Sequence, residues 1–196
     1  MLQEADQNTS DTAFAVLSLL LDMVFSMTLQ EVAHLGIADL LRDGPKSVRL
    51  LAQEVGVQEE VLLLYLRVMC SKEIFVETHV GVFAHTEKSR HLQTDTLGSM
   101  FDMAEIFRAE WQRRTLTPEA LTYTLQTGQP AIEHIFGESL WSYLTKHPAE
   151  YATFNRAMTS VSVAHNEAVA QACDLTGLHS LVDLGGGEGS FLSTLL

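Results

Sequence analysis

The chain has 196 residues, 46% of them hydrophobic, and carries a formal net charge of −13 at pH 7. This length and composition allow one large or two small domains with a hydrophobic core. The acidic charge argues against nucleic acid as a partner, because phosphate contacts need clustered Lys and Arg. The two cysteines, Cys70 and Cys173, lie alone in apolar helical segments and match neither a metal-binding motif nor a disulfide framework.

The first predicted element is a helix over residues 12–27 with N-cap candidates at residues 9–11. Apolar side chains cover most of its circumference, and such a helix must be covered on all sides. A second subunit is one cover, which predicts a homodimer, and an internal place in a larger helical bundle is the other. The apolar run over residues 13–21 is too short to span a bilayer, ends at Asp22 and follows no basic segment. We therefore expect no membrane span, no signal peptide and a cytoplasmic protein.

A helix-rich pattern follows. Helical periodicity continues over residues 31–41 with Gly36 tolerated inside the helix, and a turn at residues 43–45 ends it. Two further helices and two strand-like runs come next, over residues 48–54 with Ser47 as N-cap, 58–71, 74–76 and 80–84. Helix, turn, helix and hairpin in this order is the winged-helix pattern.

In gene regulators the second helix of this pattern enters the major groove of DNA. Here that helix carries Glu59 and Glu60 at the end that would face the bases, and Arg67 is its one basic residue. A protein that lacks phosphate partners loses the main source of affinity for DNA. We therefore expect the scaffold to serve packing, and a winged-helix regulator is the least favoured alternative.

The next part of the chain is predicted to be helical, with Pro118 and Pro148 at the starts of helices and a break at residues 128–130. The predicted helices lie over residues 86–92, 98–114, 119–125 and 149–173, with a further apolar segment over residues 132–144 around a turn at 136–137. Methionine and aromatic side chains form a stripe over residues 98–114, which is more typical of a core than of a ligand pocket. The histidines His79, His85 and His91 lack the cysteine or carboxylate partners of a metal set, so no metal is expected.

The glycine-rich segment at residues 181–190 carries the strongest functional signal. Its sequence is LVDLGGGEGS, with four glycines within residues 185–189, and FLSTLL follows. This pattern predicts a buried strand, a tight loop and the start of a helix. Glycine allows positive φ and close approach of a ligand to the backbone, whose N–H groups can bind a carboxylate or a ribose oxygen. Because the spacing is Gly-x-Gly-x-Gly and no phosphate-binding Lys follows, S-adenosylmethionine is a better candidate than a dinucleotide or a triphosphate.

Several short motifs occur in a fixed order along the chain. They are HLGIADLL at residues 34–41, LQTGQPA at 125–131, WSYL at 141–144, FNRAM at 154–158 and VDLGGGEG at 182–189. Together they resemble the N-terminal portion of a bacterial small-molecule O-methyltransferase of the caffeate/acetylserotonin type, the family that includes hydroxyneurosporene methyltransferases. The resemblance covers nearly the whole chain.

The resemblance implies a mainly α fold. A helical dimerisation domain, residues 1–96, would contain a winged-helix-like helix-turn-helix and a β-hairpin. A helical connector, residues 97–176, would line the substrate pocket, and residues 177–196 would open an α/β Rossmann-like methyltransferase domain with a strand, a loop and a helix. The implied partners are a second copy of the chain, bound through the N-terminal helices, and a small hydroxylated aromatic or polyketide-like acceptor, with no nucleic acid and no membrane.

The resemblance also assigns site residues by position. The residues implied to bind S-adenosylmethionine are Asp183, Gly185 and Gly187 in the loop and Ser162 in the long helix. The residues implied to line the substrate pocket are Phe154, Asn155, Met158, Trp141 and Phe136. For the aromatic residues of this set, ordinary packing between domains is an equal alternative.

The chain also departs from the family pattern. Complete enzymes of this type carry later strands with an acid for the ribose hydroxyls, adenine contacts and a histidine that removes the acceptor's proton. Residues 177–196 supply one strand and the start of a helix, and a lone strand leaves backbone groups unpaired. We therefore expect an incomplete or split methyltransferase with no catalytic residue in this chain and no turnover by the chain alone. A non-catalytic dimerisation or scaffold protein, or pairing with a separately encoded C-terminal half, is the alternative.

Overall fold

The computed structural model describes the backbone of residues 2–195 and the side chains of residues 12–163 and 165–195. The chain forms two compact units, Met1–Lys88 and Ser89–Leu196. The division falls inside the short helix α5 (Glu87–Arg90). The domain boundaries expected at residues 96 and 176 come from the family resemblance, whereas the division after Lys88 comes from packing. The expected boundaries stay predictions.

The N-terminal helix, α1 (Leu2–His34), is longer than predicted. Its backbone is already helical at the N-cap candidates, residues 9–11, whose side chains lie outside the described residues. The helix ends before Gly36, which has φ +68, a left-handed conformation that residues with a Cβ rarely adopt. The prediction of one helix through Gly36 is therefore wrong, and a separate turn, α2 (Ile37–Leu40), follows.

Among residues 12–34 of α1, whose side chains the structure describes, burial is confined to the C-terminal end. Thr28 and Val32 are 9% and 0% exposed, whereas Phe14 and Leu20 are 72% and 68% exposed. The segment Thr12–His34 is long and apolar enough to cross a membrane, with a mean hydropathy of 1.9. The prediction that the apolar part of this helix is too short to span a bilayer is therefore wrong. Core helices of soluble proteins and signal sequences share this property, and length alone does not decide between lipid and protein as the cover.

Two helices form the centre of the first unit much as predicted. They are α3 (Val48–Val55) and α4 (Glu59–Ser71). The Oγ atom of Ser47 accepts a hydrogen bond from the Leu50 N–H at 3.3 Å, which confirms the predicted N-cap. Along α4, the apolar residues at helical spacing face inward, namely Leu62, Leu66 and Met69.

A small antiparallel sheet, in the order β1-β3-β2, completes the first unit. The predicted hairpin consists of β2 (Phe75–His79) and β3 (Val82–His85), with Phe75 and Phe83 fully buried. Strand β1 (Lys46–Ser47) was not predicted, because two residues are too few to show the alternation of a strand. It pairs with the free edge of β3 and so ties the start of α3 to the hairpin.

The second unit is built from helices joined by short connections. They are α6 (Phe101–Arg108), α7 (Glu110–Thr115), α8 (Pro118–Thr127), α9 (Ala131–Phe136), α10 (Leu140–Lys146), α11 (Pro148–Ala172) and α12 (Ser190–Leu195). Prolines begin α8 and α11, as predicted, because the missing proline N–H has no role in the first turn of a helix. The buried cluster of this unit consists of Ile106, Trp111, Ile132, Tyr143, Leu144 and Ala157.

A break at Ala109 contradicts the single helix predicted over residues 98–114. Ala109 is extended, with φ −57 and ψ 145, and separates α6 from α7. On one continuous helix Ile106 and Trp111 would point about 140° apart, since each residue turns the chain by about 100°. The break lets both side chains enter the same buried cluster.

The strand predicted at residues 181–184 is not formed. Its backbone has no ladder partner, and Val182 and Leu184 are 77% and 90% exposed. Within the part of the second unit that the structure describes, no residue belongs to a strand, so this apolar segment has no sheet to join. The glycine-rich loop and α12 do follow it, as predicted.

We expect Ser47→Ala to lower the free energy of unfolding by about 1 kcal/mol, because the Leu50 N–H loses its acceptor at the start of α3. Urea denaturation followed by circular dichroism measures the change. Ser47→Asp is the matched control, because a carboxylate caps a helix as a hydroxyl does. Equal losses in the two variants would contradict the capping role.

Candidate functional site

The loop that precedes α12 has a backbone conformation that favours glycine. Gly185, Gly187 and Gly189 have φ values of +80, +57 and +79, in the left-handed region. The Gly189 N–H donates to the Gly186 carbonyl at 2.8 Å and closes the turn, and the Ser193 N–H donates to the Gly189 carbonyl at 3.0 Å. The repeated glycines therefore serve a defined loop that leads directly into a helix.

Asp183 folds its carboxyl group over this loop. A Cβ atom at Gly186 would lie 2.5 Å from the Asp183 Cγ atom, so glycine is the residue that fits beneath this side chain. The Oδ2 atom of Asp183 is shielded from solvent and has no hydrogen-bond partner among the described residues. A buried carboxylate oxygen without a partner is costly. This atom is therefore placed to accept a hydrogen bond from a donor that enters the loop.

The long helix α11 presents polar side chains toward α12. Asn155, Ser162 and Asn166 occupy positions i, i+7 and i+11, which share one face of a helix. The Nδ2 atom of Asn166 donates to the Ser190 Oγ atom at 3.4 Å, which directs this face to the start of α12. The Ser162 hydroxyl donates to the Met158 carbonyl at 2.8 Å, and its oxygen can accept a further hydrogen bond.

Two aromatic pairs lie at the other end of α11. Trp141 and Phe154 pack edge to face, with ring centroids 5.7 Å apart and an interplanar angle of 89°. Phe136 packs against Tyr143, with centroids 4.9 Å apart, and the Arg114 guanidinium lies 4.7 Å from its ring centre. Phe136 and Phe154 both contact the buried cluster, whereas Trp141 is 61% exposed. The pair of Trp141 and Phe154 is therefore the one that offers an open ring surface.

The predicted site residues fall into separate groups. The cofactor candidates Asp183, Gly185 and Gly187 share the loop, and Ser162 lies on the α11 face that Asn166 directs to α12. The substrate-lining candidates Phe154, Asn155 and Met158 lie on the first part of α11, where Trp141 contacts Phe154. The remaining candidate, Phe136, packs on the buried cluster.

Two polar contacts of this region were not predicted. Asn166, which holds Ser190, could have been found because it lies four residues beyond Ser162 on a helix. Arg156 binds Asp102 through two parallel hydrogen bonds, Nε to Oδ2 at 3.0 Å and Nη2 to Oδ1 at 2.7 Å. These two residues lie in different helices, so no local pattern indicates their contact.

The titratable groups of this unit give no metal site within the described part of the chain. Across residues 12–163 and 165–195, no group of three or more His, Cys, Asp or Glu side chains could hold a metal ion.

Burial, followed by the charges of Glu150 and Glu110, raises the pKa of the Tyr143 phenol. Tyr143 is therefore protonated at neutral pH and is not a general base there.

Comparison with known protein families gives two matches. Residues 17–95 match the O-methyltransferase dimerisation domain. Residues 119–196 match the O-methyltransferase domain.

Individual proteins of this kind are similar over most of the chain. Phenazine O-methyltransferase PhzM of Lysobacter antibioticus is 34% identical over 194 residues, which are 97% of this chain and 56% of that protein. The mitomycin biosynthesis 6-O-methyltransferase of Streptomyces lavendulae is 33% identical over 164 residues, 83% of this chain and 46% of that protein. The structure of human N-acetylserotonin methyltransferase in complex with SAM is 25% identical with a TM-score of 0.82, over 93% of this chain and 55% of that one. The chain thus spans about half the length of the curated relatives it matches.

We expect Gly186→Ala to displace the Asp183 carboxyl group, because the new methyl group would overlap it. Amide hydrogen exchange over residues 183–190, measured by mass spectrometry, should become about threefold faster or more. The double variant Asp183→Ala with Gly186→Ala removes the overlap, so it should exchange no faster than Asp183→Ala alone. Wild-type exchange in Gly186→Ala would contradict this placement of Asp183.

Proposed function

The chain belongs to the O-methyltransferase family, and on this premise we propose that it dimerises, lines an acceptor pocket and begins the cofactor site of a methyltransferase. The proposed reaction is the transfer of a methyl group from S-adenosylmethionine to a hydroxyl group of a small aromatic or polyketide-like molecule. The glycine-rich loop with Asp183 folded over it is the observation that carries this proposal.

The loop residues suit S-adenosylmethionine, which when bound supplies a methyl group on a positively charged sulfur atom. Asp183, with one shielded oxygen lacking a partner, suits a donor such as the amino group of the methionyl part. Gly185 and Gly187 allow the ligand to approach the backbone because they carry no side chain. Ser162 would accept a further hydrogen bond through its hydroxyl oxygen. The role of these residues is to bind and orient the methyl donor.

The acceptor is proposed to stack on Trp141 and Phe154. Their edge-to-face arrangement leaves one ring largely exposed, and a flat aromatic molecule can bury that surface. Asn155 and Met158 extend the same wall along α11, and Phe136 supports it from the core. The names of two relatives, a phenazine and a mitomycin methyltransferase, support a small-molecule acceptor with fused rings. Packing against another domain is the competing role for these aromatic residues.

We propose that a second copy of the chain covers α1. Leu19, Leu20 and Met23 are 71%, 68% and 68% exposed, and an apolar surface of this kind marks an interaction site. The family model for dimerisation starts at residue 17, inside this helix. A protein partner therefore explains α1 better than lipid does, which supports a cytoplasmic homodimer.

The winged-helix-like region is proposed to be a packing scaffold and not a DNA reader. Arg67, the basic residue of α4, donates two hydrogen bonds to the Glu77 carboxylate at 3.0 and 2.9 Å. The hydrogen bond from Arg67 also lowers the pKa of Glu77, which keeps that carboxylate ionised. The charge that could contact a phosphate is thus compensated within the fold.

We expect Leu20→Glu combined with Met23→Glu to convert a dimer into a monomer, because the interface would have to bury two unpaired carboxylates. Light scattering at micromolar concentration measures the mass of the particle. Val80→Glu is the matched control, because Val80 is an apolar residue of the same unit, is 92% exposed and lies outside α1. A monomeric wild-type chain, or a double variant that stays dimeric, would refute the proposed interface.

We expect the chain to bind S-adenosylhomocysteine, and isothermal titration calorimetry measures the affinity. Gly187→Ala should weaken binding by about tenfold, since left-handed strain at a residue with a Cβ costs about 1–2 kcal/mol. Gly177→Ala is the matched control, because Gly177 has φ +83 in the same unit but lies outside the loop. The affinity of this variant for S-adenosylhomocysteine should stay within about twofold of the wild-type affinity. A wild-type chain that gives no binding heat would sink the cofactor assignment.

The exposed apolar segment at residues 181–184 favours an additional proposal, that these residues join strands from elsewhere. Val182 and Leu184 are mostly exposed, as expected for a strand whose sheet neighbours are supplied by a further domain or by a separate chain. We also propose that the same further domain or separate chain supplies the base that removes the proton from the acceptor's hydroxyl group. The same protein samples, given S-adenosylmethionine, should then transfer no methyl group to a panel of phenols. Turnover by the chain alone would show that its own residues suffice for catalysis. A purely scaffolding protein would show neither turnover nor cofactor binding.

A further inference from the structure

Asp22 is the only charged residue between Asp11 and Glu31 along α1. Its Oδ1 atom accepts a hydrogen bond from the Lys72 Nζ atom at 2.8 Å. Lys72 is the C-cap residue of α4, and its Nζ atom also lies 5.8 Å from the centre of the Phe25 ring, within range of a cation–π contact. Asp22 and Phe25 share a side of α1 because they are three residues apart. One ammonium group therefore joins the end of α4 to two neighbouring side chains of α1.

The side of α1 that carries Asp22 faces its own unit. The residues of this inner side are buried or partly buried, namely Ser18, Asp22, Phe25, Leu29 and Val32. Their alternating spacing of four and three residues is typical of a helix that packs on another helix, and α1 packs on α4. The charge of Asp22 is therefore placed in the contact between these two helices.

The opposite side of α1 is apolar and open. Val16, Leu20 and Met27 are all more than half exposed. They lie about 120° to 160° around the helix from Asp22, at about 100° per residue. An ordinary surface helix has the reverse order, with apolar residues inward and charges outward. A charged contact on the inner side of α1 thus accompanies an apolar side that points away from the unit.

The connection between α1 and α2 is short and closed by hydrogen bonds. Leu35 and Gly36 are the two residues between these helices. Their N–H groups donate to the carbonyls of Glu31 and Ala33 at 3.0 and 2.8 Å. Transfer of α1 to another copy of the chain would have to open this turn. The turn therefore favours a place for α1 on its own unit.

We propose that the ion pair of Asp22 and Lys72 holds α1 on its own unit and fixes its rotation, so that two copies associate through the apolar sides of their α1 helices without exchanging those helices. The inference rests on the proposed homodimer and specifies how its two copies meet. In the competing arrangement each α1 would pack on the α4 of the other copy, and Asp22 would bind the partner's Lys72. The ion pair would then form between two chains instead of within one.

The first test measures amide hydrogen exchange over residues 12–25 by mass spectrometry in Asp22→Lys, Lys72→Asp and the chain that carries both changes. Each single variant places like charges together, so its exchange should become about threefold to fivefold faster. The chain with both changes restores an opposite pair and should return to within about twofold of the wild-type rate. Asp22→Asn removes the pair without repulsion, should exchange about twofold faster, and carries the test if the reversed variants do not fold.

Arg49→Asp is the matched control for Lys72→Asp. It reverses one charge in the same unit and breaks the pair of Arg49 and Glu59 at 3.2 Å, at the opposite end of α4 from Lys72. Exchange over residues 12–25 should stay at the wild-type rate in this variant, because α1 keeps its contact with Lys72.

The second test mixes Asp22→Lys chains with Lys72→Asp chains in equal amounts, one of them isotopically labelled, so that native mass spectrometry identifies the mixed dimers. If each α1 stays on its own unit, both ion pairs stay broken in the mixed dimer, and each α1 exchanges as fast as before mixing. If α1 is exchanged between copies, the mixed dimer restores both pairs and the lost protection returns. The two α1 peptides differ in mass at residue 22 and can be measured separately.

A monomeric wild-type chain would end the proposed homodimer, and the exchange rates of the first test would still decide whether Asp22 and Lys72 hold α1. Unchanged exchange in the single variants, no return of protection in the chain with both changes, or recovery of protection on mixing would overturn the inference.

Discussion

The packing of α11 against α6, α10 and α12 is the interaction on which the second unit depends. Ala157 is fully buried at this contact, beside Leu144 of α10. Burial of one face of α11 fixes the rotation of the whole helix, so the polar face that contains Ser162 and Asn166 is directed to α12. The rotation also sets Phe154 against Trp141. The packing of α11 thus positions the candidate cofactor residues and the aromatic wall together.

The first unit satisfies a different constraint. Its interior is filled by Leu66, Phe75 and Phe83, which are almost completely buried, whereas Phe14, Leu19 and Leu20 of α1 stay largely exposed. The exposed apolar side chains of α1 therefore do not belong to the core of this unit. Their presence makes sense when the unit is one half of a larger hydrophobic interior, and the family model for dimerisation covers this region.

Features set by neighbouring residues could be predicted from the sequence, and features set by distant contacts could not. Ser47 and Pro148 marked the starts of their helices because capping acts within one turn. The glycine-rich loop was recognisable for the same reason. The break at Ala109 was missed because it depends on which side chains share a core. The fork between Arg156 and Asp102 was missed because nothing local links the two helices. The terminal strand was predicted from an apolar pattern that indicates burial, but burial there needs neighbouring strands that the described residues of this unit do not form.

The exposed part of α1 also governs how the chain acquires its structure. Helices in water gain most of their stability from packing of an apolar face, and Leu19 and Leu20 receive little packing from their own unit. If a second copy of the chain covers that face, as proposed, helical order in α1 and coverage of its apolar face are coupled in a single step. Under the proposed homodimer such a step obeys mass action, so the concentration of the chain would decide how much of α1 is ordered.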